Sequence, residues 1–348
     1  MRKSIEWMKT HPIVSFFILT LVFLYILLFP TFYLYQMGLA DQPLLQVLML
    51  YIPRLAVYSP VLSGMLVTRW TLPVRSPVSA SKRWITFGIV WLVALFISAL
   101  DLKQNNPDPN VGWVPMLILS IPIAILPAYV VASTFSRVSS LREYISTLVR
   151  PRGNLIWYLI ALLTFPVLQI MGLAINQLLT GKPHLSNVRL SPEILVATLV
   201  TFVSVFFYSG GINEESGWRG FAQRRLQANY SPLVTNLLLW VFLVAWHIPN
   251  DMIQYQEGGY LLFRIGLYPF ITILFGWIYN RTQGSILAPA LFHASMNSMN
   301  TLQTSIPVTN TGSILLVLFA VFAIFYDRMW RKLPTDNPAI YQINTPAA

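Results

Sequence analysis

Cysteine is absent from this chain, and charged residues are scarce. Without cysteine, the protein has neither disulfide bonds nor thiolate metal sites. Only 10% of its 348 residues are charged, whereas 55% are hydrophobic. A water-soluble domain usually carries about 25% charged residues. Because so little polar surface does not cover a soluble globule of this length, the composition predicts an integral membrane protein.

Acidic residues are the scarcer of the two charged kinds. Lysine and arginine number 23, aspartate and glutamate 12, and the net charge is +11. A basic protein could bind nucleic acid, but these lysines and arginines are scattered among loops between apolar runs. Such a distribution is typical of the cytoplasmic loops of membrane proteins. We therefore predict contact with a lipid bilayer and no nucleic-acid partner.

The apolar residues form about ten segments that approach the roughly 20 residues needed for a membrane helix. Most lysines and arginines fall on one side of the membrane if the N-terminus is cytoplasmic, which sets the orientation. The sequence thus predicts an all-α polytopic bundle of about ten spans with both termini cytoplasmic. The segments are residues 13–36, 45–67, 85–100, 112–133, 155–177, 195–214, 232–248, 261–280, 284–301 and 313–328.

A cluster of charged residues interrupts this apolar pattern at "GGINEESGWRGF", residues 210–221. Glu215 and Arg219 are four residues apart, so on a helix they can form an ion pair. Glu214 is turned about 100° away from Glu215 and stays available for chemistry. The alternative is that the helix ends at the glycine pair before them, which leaves the charged side chains solvated at the membrane surface.

Two histidines lie inside apolar runs, His247 in "VFLVAWHIP" and His293 in "APALFHASMN". Ionisable residues at membrane depth are costly and usually face a bundle interior, where they mark functional sites. Alternatively, each histidine is a hydrogen-bonded link between two helices. If the Glu214 helix continues to about Gln227 and the chain returns as a helix, Glu214 and His247 reach the same depth. His293 and Asn297, four residues apart, overlap with that depth.

These residues resemble the motifs of the CPBP family, the CAAX-processing and bacteriocin-processing intramembrane proteases also called Abi proteins. The family pattern is Glu-Glu-x-x-x-Arg, then Phe-x-x-x-His, then His-x-x-x-Asn or Asp. Glu214, Glu215 and Arg219 match the first motif, His247 the second, and His293 with Asn297 the third. One position departs from the pattern, since Leu243 stands four residues before His247, with Phe242 beside it.

Membership in this family implies an intramembrane endopeptidase that acts on a membrane-embedded or lipidated protein or peptide. We predict that Glu214 and His247 activate a water molecule, and that His293 and Asn297 stabilise the oxyanion. Glu215 and Arg219 are predicted to support the site. As an alternative, Glu214, His247 and His293 could bind Zn²⁺ with water as fourth ligand. An asparagine is a poor zinc ligand and a good oxyanion donor, which favours metal-free chemistry.

The resemblance also divides the chain. We expect N-terminal transmembrane helices in residues 1–194, the catalytic core in 195–303, a last transmembrane helix in 304–330, and a cytoplasmic tail in 331–348, disordered from 333 onward. Two other functions stay open. The first is a catalytically silent scaffold or immunity protein that keeps the motifs. The second is a transporter with a buried Glu, His and Arg pathway, although paired halves with broken helices are not evident in the sequence.

Overall fold

Helices account for nearly all regular structure in the protein. The computed structural model describes residues 2–39, 42–106, 108, 110–185, 188–254, 259–303, 305–307 and 309–341. Within these ranges there are helices, turns and loops but no β-strand, which confirms the predicted all-α class. The N-terminal helices are α1 (Arg2–Thr10), α2 (Pro12–Gln36), α3 (Pro43–Ala56), α4 (Ser59–Thr71), α5 (Ala80–Gln104), α6 (Trp113–Ile123), α7 (Ile125–Ala132), α8 (Ser139–Ser146) and α9 (Ile156–Thr180).

The second half of the chain contains the sequence motifs. Its helices are α10 (Pro192–Tyr208), α11 (Ile212–Glu215), a π-helical turn (Ser216–Gln223), α12 (Arg224–Leu226), α13 (Pro232–Gln254), α14 (Gly259–Gly266), α15 (Tyr268–Arg281), α16 (Leu287–Leu302) and α17 (Asn310–Tyr326). We call residues 212–226 the motif segment.

Local sequence explains where these elements begin and end. The Oγ of Ser191 accepts a hydrogen bond from the backbone N–H of Ile194, and Pro192 occupies the first turn of α10. Both features favour a helix start. The preceding helix, α9, ends at Gly181, which adopts the left-handed conformation with a φ of 67°.

Several helices are long and apolar enough to cross a bilayer, so the chain is an integral, multi-pass membrane protein. Five pass this criterion singly: Pro12–Leu34, Ala80–Gln104, Ile156–Thr180, Pro192–Leu226 and Pro232–Met252. Two further pairs, α3 with α4 and α6 with α7, pass together but bend by 48° and 41°, which raises the number to at most seven.

The predicted number of about ten spans is therefore not confirmed. Each of the ten apolar segments does contain helix, but the last three correspond to α14 with α15, α16 and α17. α15, α16 and α17 have 14, 16 and 17 residues, less than the roughly 20 needed to cross a hydrocarbon core. Counting apolar residues does not distinguish such short helices from full spans. The cytoplasmic location of both termini stays a prediction.

The motif segment lies in the interior of the bundle. It packs against α4, α8, α13, α15 and α16. Trp218 and Phe221 are almost fully buried and contact Phe16 of α2, whose ring stacks on that of Phe221 at 4.9 Å between centroids. This aromatic packing holds the charged motif residues inside the fold.

The C-terminal stretch is also ordered, contrary to the prediction of disorder from residue 333. Ala339 and Ile340 are buried. The backbone N–H of Tyr341 donates to the carbonyl of Arg224 at 2.8 Å, and the Gln227 amide donates to the carbonyl of Ala339 at 3.2 Å. Residues 334–341, which we call the C-terminal strap, thus pack against the end of the motif segment. Residues 342–348 lie outside the described residues.

Candidate active site

A break in the chain precedes the motif segment. α10 ends at Tyr208, and the chain turns at residues 209–211 before α11 begins. The Asn213 side-chain oxygen accepts hydrogen bonds from the backbone N–H groups of Gly210 at 2.9 Å and Glu214 at 3.1 Å, which fixes the turn. Despite this break, Glu214 and Glu215 are only 5% and 2% exposed. The alternative of a solvated surface cap is therefore wrong.

Gly210 allows the closest approach within the site. Its φ of 131° is one that residues with a side chain rarely adopt, and a Cβ placed there would lie 2.2 Å from Nε2 of His293. The His293 ring consequently packs against bare backbone. The sequence predicts only that a helix could end at this glycine. A glycine pair gives no indication of which side chain packs against it, so the contact with His293 was not predicted.

Glu215 connects two of the predicted residues. Its Oε2 accepts a hydrogen bond from Arg219 Nε at 3.1 Å, as the four-residue spacing predicts. Its Oε1 lies 2.8 Å from Nδ1 of His293 on α16. The second contact joins residues 78 positions apart in the chain, so no local pattern predicted it. A carboxylate that holds a histidine nitrogen fixes the orientation of the ring.

Arg219 is the centre of a buried polar network. Its Nη1 donates to Gln223 at 3.1 Å and to Asn236 of α13 at 2.9 Å. Gln223 in turn donates to Gln227, whose amide reaches the C-terminal strap. A buried arginine is tolerated only when an acidic partner compensates its charge and acceptors satisfy its N–H groups. Glu215 provides the charge and the two amides provide the acceptors. The chain of contacts therefore links His293, through Glu215 and Arg219, to the far end of the motif segment.

His247 is also held through its Nδ1 atom, but by a backbone carbonyl rather than by a carboxylate. Nδ1 lies 2.7 Å from the carbonyl oxygen of Leu243, which can only accept, so Nδ1 carries the proton. In the neutral ring Nε2 is then a hydrogen-bond acceptor. The family's aromatic position is occupied here by Leu243, whose backbone supplies this contact whatever its side chain.

One cavity of about 370 Å³ brings the predicted residues together. Its polar lining includes Glu214, His247, His293 and Asn297, and the Asn297 amide also lies 3.4 Å from the carbonyl of Ser209. Arg219 and Glu215 lie behind this wall rather than in it. The volume is in the usual range for small-ligand and peptide-side-chain sites. The apolar walls include Leu24, Phe165, Ile271, Met299 and Leu316.

Two further polar residues line the same cavity and were not predicted. They are Arg264 of α14 and Tyr268 of α15. Arg264 lies within the predicted span 261–280 and had no assigned role, and tyrosines are frequent throughout this sequence. A signal was nevertheless present, since an arginine inside an apolar run needs an acidic partner, and Asp251 is the nearest acidic residue on α13.

The predicted zinc ligands do not form a metal site as they are placed. Among the described residues there is no group of three or more His, Asp and Glu side chains close enough to share a metal ion. A zinc site with three protein ligands needs ligand atoms at about 2 Å from one point. Glu214, His247 and His293 share the cavity walls but not such a point, so we derive no step through a metal ion.

Comparison with known proteins gives a family match and a relative. Residues 193–299 match the family model described as type II CAAX prenyl endopeptidase Rce1-like. A protein of Methanococcus maripaludis named CAAX prenyl protease 2 is 30% identical over 127 residues, which cover 33% of this chain and 46% of that protein. The chain thus spans less than half the length of this relative. The family resemblance is therefore confirmed over residues 193–299, which contain all six motif residues.

Proposed function

We propose that this protein is an intramembrane endopeptidase that hydrolyses a peptide bond of a membrane-embedded or lipidated protein or peptide. The observation that supports the proposal most directly is the shared cavity, which is lined by Glu214, His247, His293 and Asn297 and lies within the matched residues. The cavity lies among apolar helices, which favours a substrate that approaches from a membrane. The family description favours a prenylated protein, and we place the enzyme in a bacterial cytoplasmic membrane.

The first half of the reaction is attack by water. A water molecule in the cavity donates one hydrogen to the Glu214 carboxylate and the other to Nε2 of His247. Its oxygen bonds to the carbonyl carbon of the substrate as Glu214 takes one proton, acting as general base. The C–O π electrons move to the carbonyl oxygen, which becomes an oxyanion. Burial suits this step because a base that is kept from bulk water retains its orientation.

The oxyanion is stabilised from the α16 side of the cavity. The Asn297 amide supplies one N–H, and His293 supplies another from Nε2 when its ring is doubly protonated and Nδ1–H is donated to Glu215. A single donor of this kind contributes about 100- to 1,000-fold in rate. The intermediate then collapses: the C–N bond breaks, the proton held by Glu214 passes to the leaving nitrogen, and a carboxylic acid and an amine result.

The decisive experiment compares Glu214 of α11 with Glu193 of α10. Purified full-length protein is incubated with a library of membrane peptides, some of them prenylated, and products are identified by mass spectrometry. Glu214→Gln should reduce cleavage at least about 100-fold, the usual contribution of a general base. Glu193→Gln, a matched change of an exposed glutamate in the first turn of α10, should cleave like wild type.

Two results would contradict the proposal. If Glu214→Gln cleaves at the wild-type rate, Glu214 is not the base. If the wild-type protein cleaves no peptide in the library while remaining folded, the catalytically silent scaffold becomes the better interpretation.

A further inference from the structure

Asp251, Arg264 and Tyr268 form an ordered group beside His247, which we call the Tyr268 clamp. Arg264 Nε and Nη2 each donate to a different oxygen of Asp251 at 2.9 Å. The guanidinium carbon lies 4.4 Å from the centre of the Tyr268 ring. Arg264 is 5% exposed, and Trp240 Nε1 anchors its backbone carbonyl at 3.0 Å. A two-point ion pair and a cation–π contact leave little freedom to either side chain.

The clamp directs the Tyr268 hydroxyl towards His247. The hydroxyl oxygen lies 3.4 Å from Nε2 of His247, and the two rings meet edge to face at 5.3 Å between centroids. Because Nδ1 of His247 is occupied by the Leu243 carbonyl, Nε2 accepts and the tyrosine donates. At 3.4 Å this contact is longer than an ordinary hydrogen bond. A water molecule that binds beside both groups can therefore replace this weak contact, accepting the hydrogen bond of the hydroxyl and donating one of its own hydrogens to Nε2.

We propose that Tyr268 is a further catalytic residue, whose hydroxyl donates a hydrogen bond to the oxygen of the attacking water. This inference rests on the proposed function. Water has two hydrogens and two lone pairs. Glu214 and Nε2 of His247 accept the hydrogens, the Tyr268 hydroxyl donates to one lone pair, and the other faces the substrate carbonyl carbon. Tyr268 thereby selects the lone pair that attacks.

Arg264 and Asp251 act through Tyr268 and are positioning residues. Asp251 lies four residues after His247, on the same face of α13, while Arg264 and Tyr268 belong to α14 and α15. The ion pair therefore ties the elements bearing the hydroxyl to the helix bearing the histidine. Movement of α13 relative to α15 would otherwise change the distance from the hydroxyl to Nε2.

The test removes only the hydroxyl. Tyr268→Phe keeps the ring under Arg264, and we expect kcat to fall about 10- to 100-fold, below the loss of a full oxyanion donor, with KM and the unfolding temperature unchanged. Tyr25→Phe is the matched control, since its hydroxyl donates to the Ala245 carbonyl at 2.9 Å outside the cavity. Equal kcat in the two variants, when the wild type cleaves and Glu214→Gln does not, would overturn the role of Tyr268 and leave the proposed function intact.

A double-mutant comparison tests the clamp. Arg264→Lys keeps the charge but loses the planar two-point contact, and we expect it to lower kcat several-fold. In the Tyr268→Phe background the same change should have no further effect on kcat, because residues that act through one group are not additive. Additive losses would show that Arg264 does not act through the Tyr268 hydroxyl.

Discussion

Glu215 serves two partners with one carboxylate. The four-residue spacing predicts only its pair with Arg219. The 2.8 Å contact with His293 Nδ1 changes that expectation. A glutamine has one acceptor oxygen and no negative charge, so it does not accept from Arg219 and from a protonated Nδ1 of His293 through separate oxygens, as Glu215 does.

We therefore expect Glu215→Gln to lower both the unfolding temperature and the activity per folded molecule. Leaving a buried donor unsatisfied costs about 1–3 kcal/mol, more when it is charged. Glu143→Gln is the control, because its pair with Arg224 is half exposed and such pairs contribute about 0–1 kcal/mol. Thermal unfolding in detergent and cleavage by the folded fraction measure the two effects. Wild-type activity per folded molecule would show that the His293 contact is dispensable.

Gly210 is important because the His293 ring packs directly against its backbone. Gly210→Ala should abolish cleavage, because a Cβ would lie 2.2 Å from His293 Nε2 and the backbone φ of 131° disfavours alanine. Gly88→Ala on α5, where an added Cβ meets nothing within 4 Å, should be active and as stable as wild type or slightly more so. An active Gly210→Ala would mean that the His293 ring does not need this position.

Variants of His293 and Asn297 test whether catalysis depends on a bound metal ion. We expect purified protein to cleave without bound metal and to tolerate chelators, with Asn297→Ala reduced about 100- to 1,000-fold because one oxyanion donor is lost. If zinc were bound instead, His293→Ala should lose metal and activity together. Elemental analysis that finds stoichiometric zinc in active protein, removed along with the activity, would contradict the metal-free mechanism.

The sequence could predict the site residues better than their contacts. Six motif residues follow from rare polar groups in apolar runs and from spacing, and the Glu215–Arg219 pair follows from helix geometry. The contacts of Glu215 with His293 and of Tyr268 with His247 join different helices. Contacts of that kind depend on how helices rotate and cross, which a local pattern does not specify.

At the scale of elements, the motif segment combines a chain break, a short α-helix and a π-helical turn. A π-helical turn widens the helix and is frequent at functional sites. Here it coincides with the stretch in which Arg219 and Gln223 form the buried network. The sequence predicted that helix continues from Glu214 to about Gln227, which the structure bears out to Leu226. The break at residues 209–211 corresponds to the alternative of a helix end at the glycine pair, and the π-turn was not predicted.

Asn236 tests the coupling between the motif segment and α13. It accepts from Arg219 at 2.9 Å and donates to the Pro232 carbonyl at 2.8 Å while fully buried. Asn236→Ala should lower the free energy of unfolding by about 1–3 kcal/mol, because Arg219 keeps a buried N–H without this acceptor. Asn110→Ala, at an exposed loop position, should leave the unfolding temperature unchanged. Equal unfolding temperatures for both variants would show that Arg219 finds another acceptor.

At the scale of the whole molecule, the C-terminal strap packs against the C-terminal end of the motif segment. Arg225 lies 4.1 Å from the ring centre of Tyr341, and Arg224 Nε donates to the carbonyl of Ile340 at 3.3 Å. The sequence predicts disorder from residue 333 onward, and the structure shows order as far as Tyr341. The order of the strap comes from backbone groups that pair with the motif segment, which composition does not reveal.

Removing the strap should weaken both stability and activity. A chain that ends at residue 333 loses the burial of Ala339 and Ile340 and the contacts of Gln227 and Arg225. We expect a lower unfolding temperature and slower cleavage. A chain that ends at Tyr341 keeps every one of those contacts and is the control. If both truncations behave alike, the strap does not support the site.

The position of the strap in the chain has a consequence for how the enzyme is made. Residues 334–341 leave the ribosome after α17 and after every motif residue, yet they pack under the motif segment. Chains fold as their parts become available. During membrane insertion, a nascent chain therefore carries Glu214, His247 and His293 before the support beneath them exists. The contacts of Arg224 and Gln227 with the strap therefore form only after α17 has been synthesised.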